Sequence, residues 1–449
     1  MSKERLVIIG GVEAGLGAAT QARRNNPDMD IVVLEKTEFI SYGLCGMPYH
    51  ISGLIPDYQD LLIYKPSYFK NNRNIDVRIK NEVIDVDSKN KKVVVKNLEQ
   101  MGKEETLEYD KLVIATGARA RLLDIEGKEL NNIFTFRDLD SARKVKNAIK
   151  ESKPENAVVI GSGYIGLTMA EAFVANGIHT TIIEKEPYIL PTFSPDMSKF
   201  VQQELEKNNV EVITDATVDA FIGTDKVEKV SVNGKLIPAD IVLVSVGLLP
   251  NIELAQAAGC EIAKIGSVQA VKVNNKMQTS VPNIYSAGDC THSFDFITGK
   301  EKYLPLATIT DKQAQIAANN ICGKSSIYQG TVGSSVEKVF NVEMARTGLT
   351  EKEIINAGIN YDVKTLKSKT RPVYYPGGGR IMLKVFVETA TNKILGAEMV
   401  GNEFVAKRID ILGLAIYNKM KLSDLYNIDF AYAPPVATSR DILWIASLK

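Results

Sequence analysis

The chain has 449 residues, 45% of them hydrophobic and 24% charged, and its 54 basic and 54 acidic residues cancel. That length suits two to four domains, and the balanced charge offers no electrostatic footprint for nucleic acid or an anionic membrane surface. Four cysteines without C-x-x-C spacing (Cys45, Cys260, Cys290, Cys322) and three histidines point away from a metal site and towards a reducing, cytoplasmic setting. The first apolar run begins at Leu6, so no signal peptide is expected, and no run is long enough to span a bilayer.

The opening stretch "RLVIIGG" reads as a strand and "VEAGLGAATQARR" as a helix, while "DIVVLEK" is a second strand ending at Glu35, 25 residues after Gly10. This is a β-turn-α-β unit whose tight turn delivers a pyrophosphate to the helix N-terminus. Gly10 and Gly15 fill the outer fingerprint positions, with Gly11 beside the first, but Val12 occupies the middle one. Glu35 is expected to accept hydrogen bonds from an adenosine ribose. "SYGLCGMPYH" follows, with Cys45 between small and aromatic residues. On its own, such a cysteine reads equally as a buried, inert thiol.

Further on, "YDKLVIATGA" is a strand running into Ala115, Thr116 and Gly117, small residues that permit close backbone approach. "AVVIGSGYIGLTMAEAFVANGIHTTIIEKE" then repeats the first unit. Gly161, Gly163 and Gly166 have full G-x-G-x-x-G spacing, and Glu184 ends the next strand 23 positions after Gly161. A carboxylate there suits a free ribose 2′-hydroxyl, so NADH is expected over NADPH, with Lys185 leaving NADPH as an alternative. Two units about 150 residues apart imply two dinucleotides, one a flavin and one a nicotinamide. "DIVLVSVGLLPN" carries Gly247, and "NIYSAGDC" places Asp289 after a strand and a glycine, where it suits either a polyol chain or a helix N-cap.

"GKSSIYQG" (323–330) reads as a polar linker. Beyond it come strand-like "VEKVFNVEMA", a helix capped by Thr350 with Glu353, the hairpin "IMLKVFVETATNKILGAEMVG" and the helical "EFVAKRIDILGLAIYNKM".

The paired fingerprints, "ATGA" and "SAGD", in this order and spacing, resemble the flavin-dependent pyridine nucleotide-disulfide oxidoreductases over essentially the full chain. The resemblance implies an α/β fold of two Rossmann-like domains plus a C-terminal α+β dimerisation domain. It divides the chain into an FAD domain (1–115 and 250–322), an inserted NAD(P)H domain (116–249) and a dimerisation domain (325–449). It also implies FAD held by the first fingerprint and Asp289, NADH held by the second, and Tyr164 covering the flavin. Lys36, Ser41, Val83, Ile165 and Ala307 join the cofactor contacts on the same basis.

Many relatives use C-x-x-x-x-C, but here the second position is His50, so that internal disulfide cannot form. "SYGLCGMPY" is similar to the single-cysteine branch, in which Cys45 is the catalytic sulfur. That branch comprises coenzyme A-disulfide reductases, persulfide reductases, NADH oxidases and NADH peroxidases. Activation to thiolate by a helix N-terminus or a nearby cation is expected. Lacking a second protein sulfur, Cys45 must take an external one as a mixed disulfide, or oxygen as a sulfenic acid. Oxidase and peroxidase members carry a histidine where this chain has Glu13, which argues against peroxide chemistry. Glu13 also reads as a plain first-turn carboxylate. "FAYAPPVATSRDIL" resembles the reductases instead. Its Tyr432, and Tyr374 58 positions earlier, match tyrosines that reach the other subunit of a homodimer, although both also suit ordinary interface packing. Arg23 and Arg24 are the expected contacts for the coenzyme A phosphates. Thr168 replaces a family glutamate that approaches the nicotinamide; a threonine can still bond the carboxamide, but the charge the family carries there is gone.

The reading is therefore an NADH-dependent flavoenzyme that reduces coenzyme A disulfide, a CoA persulfide or a related small disulfide through Cys45. An NADH oxidase or peroxidase is the nearest rival, and a redox-sensing electron-transfer flavoprotein a remote one.

Overall fold

The computed structural model describes residues 3–100 and 102–449. Its first sheet is parallel, with the strands in the order Ile284–Ser286, Lys111–Ile114, Arg5–Ile9, Asp30–Leu34 and Asp76–Arg78. Leu6 to Ile9 are all buried, as near-continuous apolar strands must be when both faces of a parallel sheet are covered. A second parallel sheet repeats the order with Ile133–Thr135, Ile241–Val244, Asn156–Ile160, His179–Ile183 and Val210–Ile213. The repeat seen in the fingerprints is thus a repeat of the whole fold. Where the chain passes between the two halves, Ala118–Ala120 pairs antiparallel with Leu248–Pro250, closing the second half off as an insertion.

No helix or strand is formed over 323–330. The C-terminal sheet is antiparallel, in the order Ser335–Val339, Val342–Gly348, Ile394–Gly401, Arg380–Glu388 and Tyr361–Lys369. The helix Val405–Tyr417 packs on it. The helix Glu351–Ala357 opens with a capping box between Thr350 and Glu353, as the S/T-x-x-E pattern predicts.

One apolar core joins three parts of the chain. Met47 and Ile51, immediately after Cys45, are buried with Leu167 and Phe173 of the second half and with Met344, Met382 and Val400 of the C-terminal sheet. Each such side chain contributes about 1.5–3 kcal/mol by leaving water. The cysteine segment is therefore pinned where all three parts meet. Among the described residues, no helix is long and apolar enough to cross a membrane.

Candidate active site

The first turn is shaped by close backbone approach. Gly10 has φ +113°, and a Cβ there would lie 2.2 Å from the Ala115 carbonyl oxygen. At Gly15 a Cβ would lie 1.8 Å from the Gly10 oxygen, so helix Glu13–Asn25 can sit against the strand only with glycine. Val12 precedes that helix at φ −106°, which needs no glycine, so the imperfect fingerprint keeps its shape. Glu35 Oε2 accepts the Gly11 N–H at 2.8 Å, and Oε1 accepts the Thr37 N–H and hydroxyl.

The second unit copies this. Glu184 Oε2 accepts the Ser162 N–H at 2.9 Å and its hydroxyl, and Oε1 accepts the Glu186 N–H. A carboxylate offers about four acceptor sites, so each glutamate, with three donors bound, keeps one for a ribose hydroxyl. Gly163 and Gly247 face open space, and a Cβ on Gly166 would meet the Gly161 oxygen at 2.0 Å. These cradles fit two dinucleotides. Glu184→Ala should narrow the ratio of kcat/KM for NADH over NADPH by about tenfold, equivalent to ~1.4 kcal/mol of like-charge repulsion removed. Steady-state kinetics with both cofactors checks this; an unchanged ratio would show that Glu184 does not set the preference, and equal kcat/KM for both cofactors in the parent would show that Lys185 or a loop dominates.

Asp289 caps no helix. Its Oδ2 accepts from Arg137 at 2.5 Å, and Arg137 also donates to the Ala118 carbonyl. Gly288, at φ +85°, lets this turn close on Ala14 of the first helix. Thr116 and Asn251 exchange hydrogen bonds across the two chain crossings, and the next amide, Gly117, has φ +65°. Ser41 takes the left-handed region at φ 48° while its N–H reaches the Gly11 carbonyl, so it abuts the same turn. Ala115 and Ile165 are half-buried beside their fingerprints, Val83 is buried, and Lys36 and Ala307 are exposed.

Cys45 is an exposed residue of the short turn Leu44–Gly46. Cys260 and Cys290 are buried, and the half-buried Cys322 rests against the Ala22 carbonyl. The expected activation is reversed by the chain's own groups. Partial burial, then Glu337, Glu13 and Asp289, push the Cys45 thiol up, opposed only by Arg137. Ionisation therefore grows as pH rises above the ordinary thiol range. Glu337→Gln should speed iodoacetamide alkylation of Cys45 at pH 8 about two- to threefold. Equal rates in parent and variant would remove Glu337 from the site.

Glu13 stays in contact with solvent, yet crowding by the surrounding chain, with Asp289 and Asp311 near, pushes its carboxyl up to about 7. No histidine is free to serve Cys45. His50 and His292 are buried and bonded to the Ile55 and Val273 backbone, and exposed His179 begins a strand of the second half.

Arg23 and Thr168 are engaged by the chain's own carbonyls. The Arg23 guanidinium donates to the carbonyls of Asn26, Pro27, Met29, Arg73 and Asn74, so it locks the helix end and has no donor left for a phosphate. Exposed Arg24 remains. The Thr168 hydroxyl donates back to the Tyr164 and Ile165 carbonyls of its own helix and is buried, so it does not face a carboxamide. Half-buried Tyr164 is tied through its hydroxyl to Ser335 at 2.9 Å.

Tyr374 and Tyr432 come together, hydroxyl to hydroxyl, at 2.7 Å, and both are exposed. The Tyr374 loop is anchored by Arg371 on Glu403 and the Tyr432 segment by the buried Arg408–Asp441 ion pair. The sequence reading missed Arg137 and Glu337. Nothing local marks them, because both act from other elements.

A curated relative from Methanocaldococcus jannaschii, named "NADH oxidase", is 40% identical over 99% of this chain and 98% of its own. A "NAD(P)H sulfur oxidoreductase (CoA-dependent)" from Pyrococcus furiosus is 39% identical over 99% and 98%. The solved structure of a NAD-dependent persulfide reductase from A. fulgidus superposes with a TM-score of 0.95 at 37% identity, covering 99% of this chain and 82% of that one. The family described as pyridine nucleotide-disulphide oxidoreductase matches residues 4–314, and its dimerisation domain matches residues 335–442. With both nucleotide cradles and the C-terminal sheet inside those spans, the chain belongs to the pyridine nucleotide-disulphide oxidoreductases, which use FAD and NAD(P)H.

Proposed function

We propose that this flavoprotein passes electrons from NADH to Cys45 and reduces coenzyme A disulfide, a CoA persulfide or a related small disulfide, as a homodimer. The carrying observation is that Cys45 is exposed at the junction of the three parts with no second cysteine beside it. The names of the CoA-dependent and persulfide-reducing relatives support the sulfur class.

Bound FAD supplies the two-electron relay between nicotinamide and sulfur. The first fingerprint, Thr116-Gly117 and Asp289 hold it, with Arg137 orienting Asp289, and the second fingerprint and Glu184 hold NADH. Cys45 thiolate attacks one sulfur of the substrate, forming a mixed disulfide and expelling a thiolate that takes a proton. Two electrons then cleave the mixed disulfide, returning Cys45 as thiolate and releasing the second thiol. The balance is NADH, one proton and one disulfide giving NAD⁺ and two thiols. Tyr432 of the partner subunit, bonded to Tyr374, supplies the proton that no histidine can. Its phenol is held above its ordinary range by that bond. Arg24 meets a substrate phosphate.

The relative named as an NADH oxidase favours a second reading, oxygen reduction through a Cys45 sulfenic acid. Oxygen uptake and thiol release, measured together on one NADH-supplied sample, separate the two. Thiol release at two per NADH with little uptake supports the reductase, and stoichiometric uptake overturns it.

Crossed tyrosines make a sharper expectation. A heterodimer of a Cys45→Ser chain and a Tyr432→Phe chain has one site with both changes and one with neither. Separately tagged, purified heterodimers should recover about half of the parent reductase activity per dimer. No recovery would place Tyr432 in its own chain's site.

A further inference from the structure

A cleft of about 690 Å³ separates helix Pro195–Lys207 of the second half from strands Tyr361–Lys369 and Arg380–Glu388 of the C-terminal sheet. No residue of either nucleotide fingerprint lines it, nor do Cys45, Tyr374 or Tyr432. Its size is that of a small-molecule pocket.

The lining is strongly positive in a chain with no net charge. Lys199 comes from the helix, and Lys367, Lys369 and Arg380 from the strands. Among the described residues, none of these four enters an ion pair, and the one lining carboxylate, Asp196, is already bonded to Lys384. Lys369 stands directly opposite Arg380 in the antiparallel register. Like charges opposed across strands destabilise a sheet, so this pair works against the fold unless an anion lies between. Lys367, two residues away, points to the same face. Phe200 adds a flat, half-buried wall, with the Arg380 guanidinium 5.4 Å from its ring centroid. That places an aromatic surface next to a phosphate-binding set of cations.

We propose that this cleft is a third nucleotide site, binding a purine polyphosphate. The phosphates lie among Lys367, Lys369 and Arg380, with Lys199 facing them from the helix. The purine stacks against Phe200. Recognition rests on charge and stacking, so affinity falls as salt rises.

The test uses the FAD-loaded enzyme at saturating NAD⁺, which fills both fingerprint sites, with ADP as the probe in equilibrium dialysis. One ADP per chain is expected, bound at least tenfold more weakly by a Lys367→Gln/Lys369→Gln variant. Without ligand, that variant should melt no lower than the parent, because a like-charge pair is lost. Phe200→Leu should weaken ADP while leaving inorganic pyrophosphate unchanged. Absence of ADP binding beside NAD⁺, or binding indifferent to the lysine changes, would overturn the site. Equal losses of ADP and pyrophosphate in Phe200→Leu would overturn the stacking.

Discussion

Cys45→Ser should lower disulfide or persulfide reduction by roughly a thousandfold or more, while transfer from NADH to an artificial dye continues. The serine hydroxyl is no larger than the thiol it replaces and Cys45 is an exposed residue of the Leu44–Gly46 turn, so the fold and both nucleotide cradles persist. What disappears is the exposed one of the four thiols, since Cys260, Cys290 and Cys322 are buried or half-buried. A hydroxyl neither ionises near neutral pH nor forms a disulfide. Nicotinamide oxidation precedes sulfur chemistry, so the two activities separate in stopped-flow and dye assays. Thiol release at the parent rate would make Cys45 a bystander.

Gly15→Ala should yield a protein with little bound flavin and a stability loss of about 3 kcal/mol or more. The added Cβ would sit 1.8 Å from the Gly10 oxygen and 3.2 Å from Ile8 Cγ2. The nearest atom is a backbone oxygen, which cannot give way as a flexible side chain would. The helix must lift from the strand, which opens the pyrophosphate turn. Gly166→Ala poses the same clash in the second unit, 2.0 Å from the Gly161 oxygen. It should keep the flavin and lose NADH affinity. Flavin absorbance, thermal melting and NADH titration distinguish the two, and a yellow, parent-like Gly15→Ala protein would contradict the assignment.

Much of the fold was readable because its signals are local and repeated. Apolar strands ending in tight turns, each followed by a helix and a strand closing on Glu35 or Glu184, appear twice and fold twice. The Thr350–Glu353 capping box and the hairpin with strands Arg380–Glu388 and Ile394–Gly401 were equally local. The meeting of Tyr374 and Tyr432 rested on a spacing taken from resemblance, and the structure brings the two hydroxyls together. The electrostatics of Cys45 were not readable. Glu337 and Arg137 lie hundreds and tens of residues away, and only tertiary packing brings them to the thiol. Arg23 misled for a related reason. A basic residue at a helix end suggests phosphate, but the turns around 26–29 and 73–74 present five carbonyls that consume it. The Thr168 hydroxyl is likewise taken by its own helix, whose carbonyls are its nearest acceptors.

The most direct test of sulfur chemistry at Cys45 is to trap its partner. Oxidised enzyme incubated anaerobically with coenzyme A disulfide, quenched in acid and digested without reductant, should yield the Cys45 peptide carrying one coenzyme A in disulfide linkage. Addition of NADH before the quench should remove it and release free coenzyme A. A Cys45 peptide free of coenzyme A, converted instead to sulfenic acid on exposure to oxygen at the rate of NADH consumption, would contradict the account.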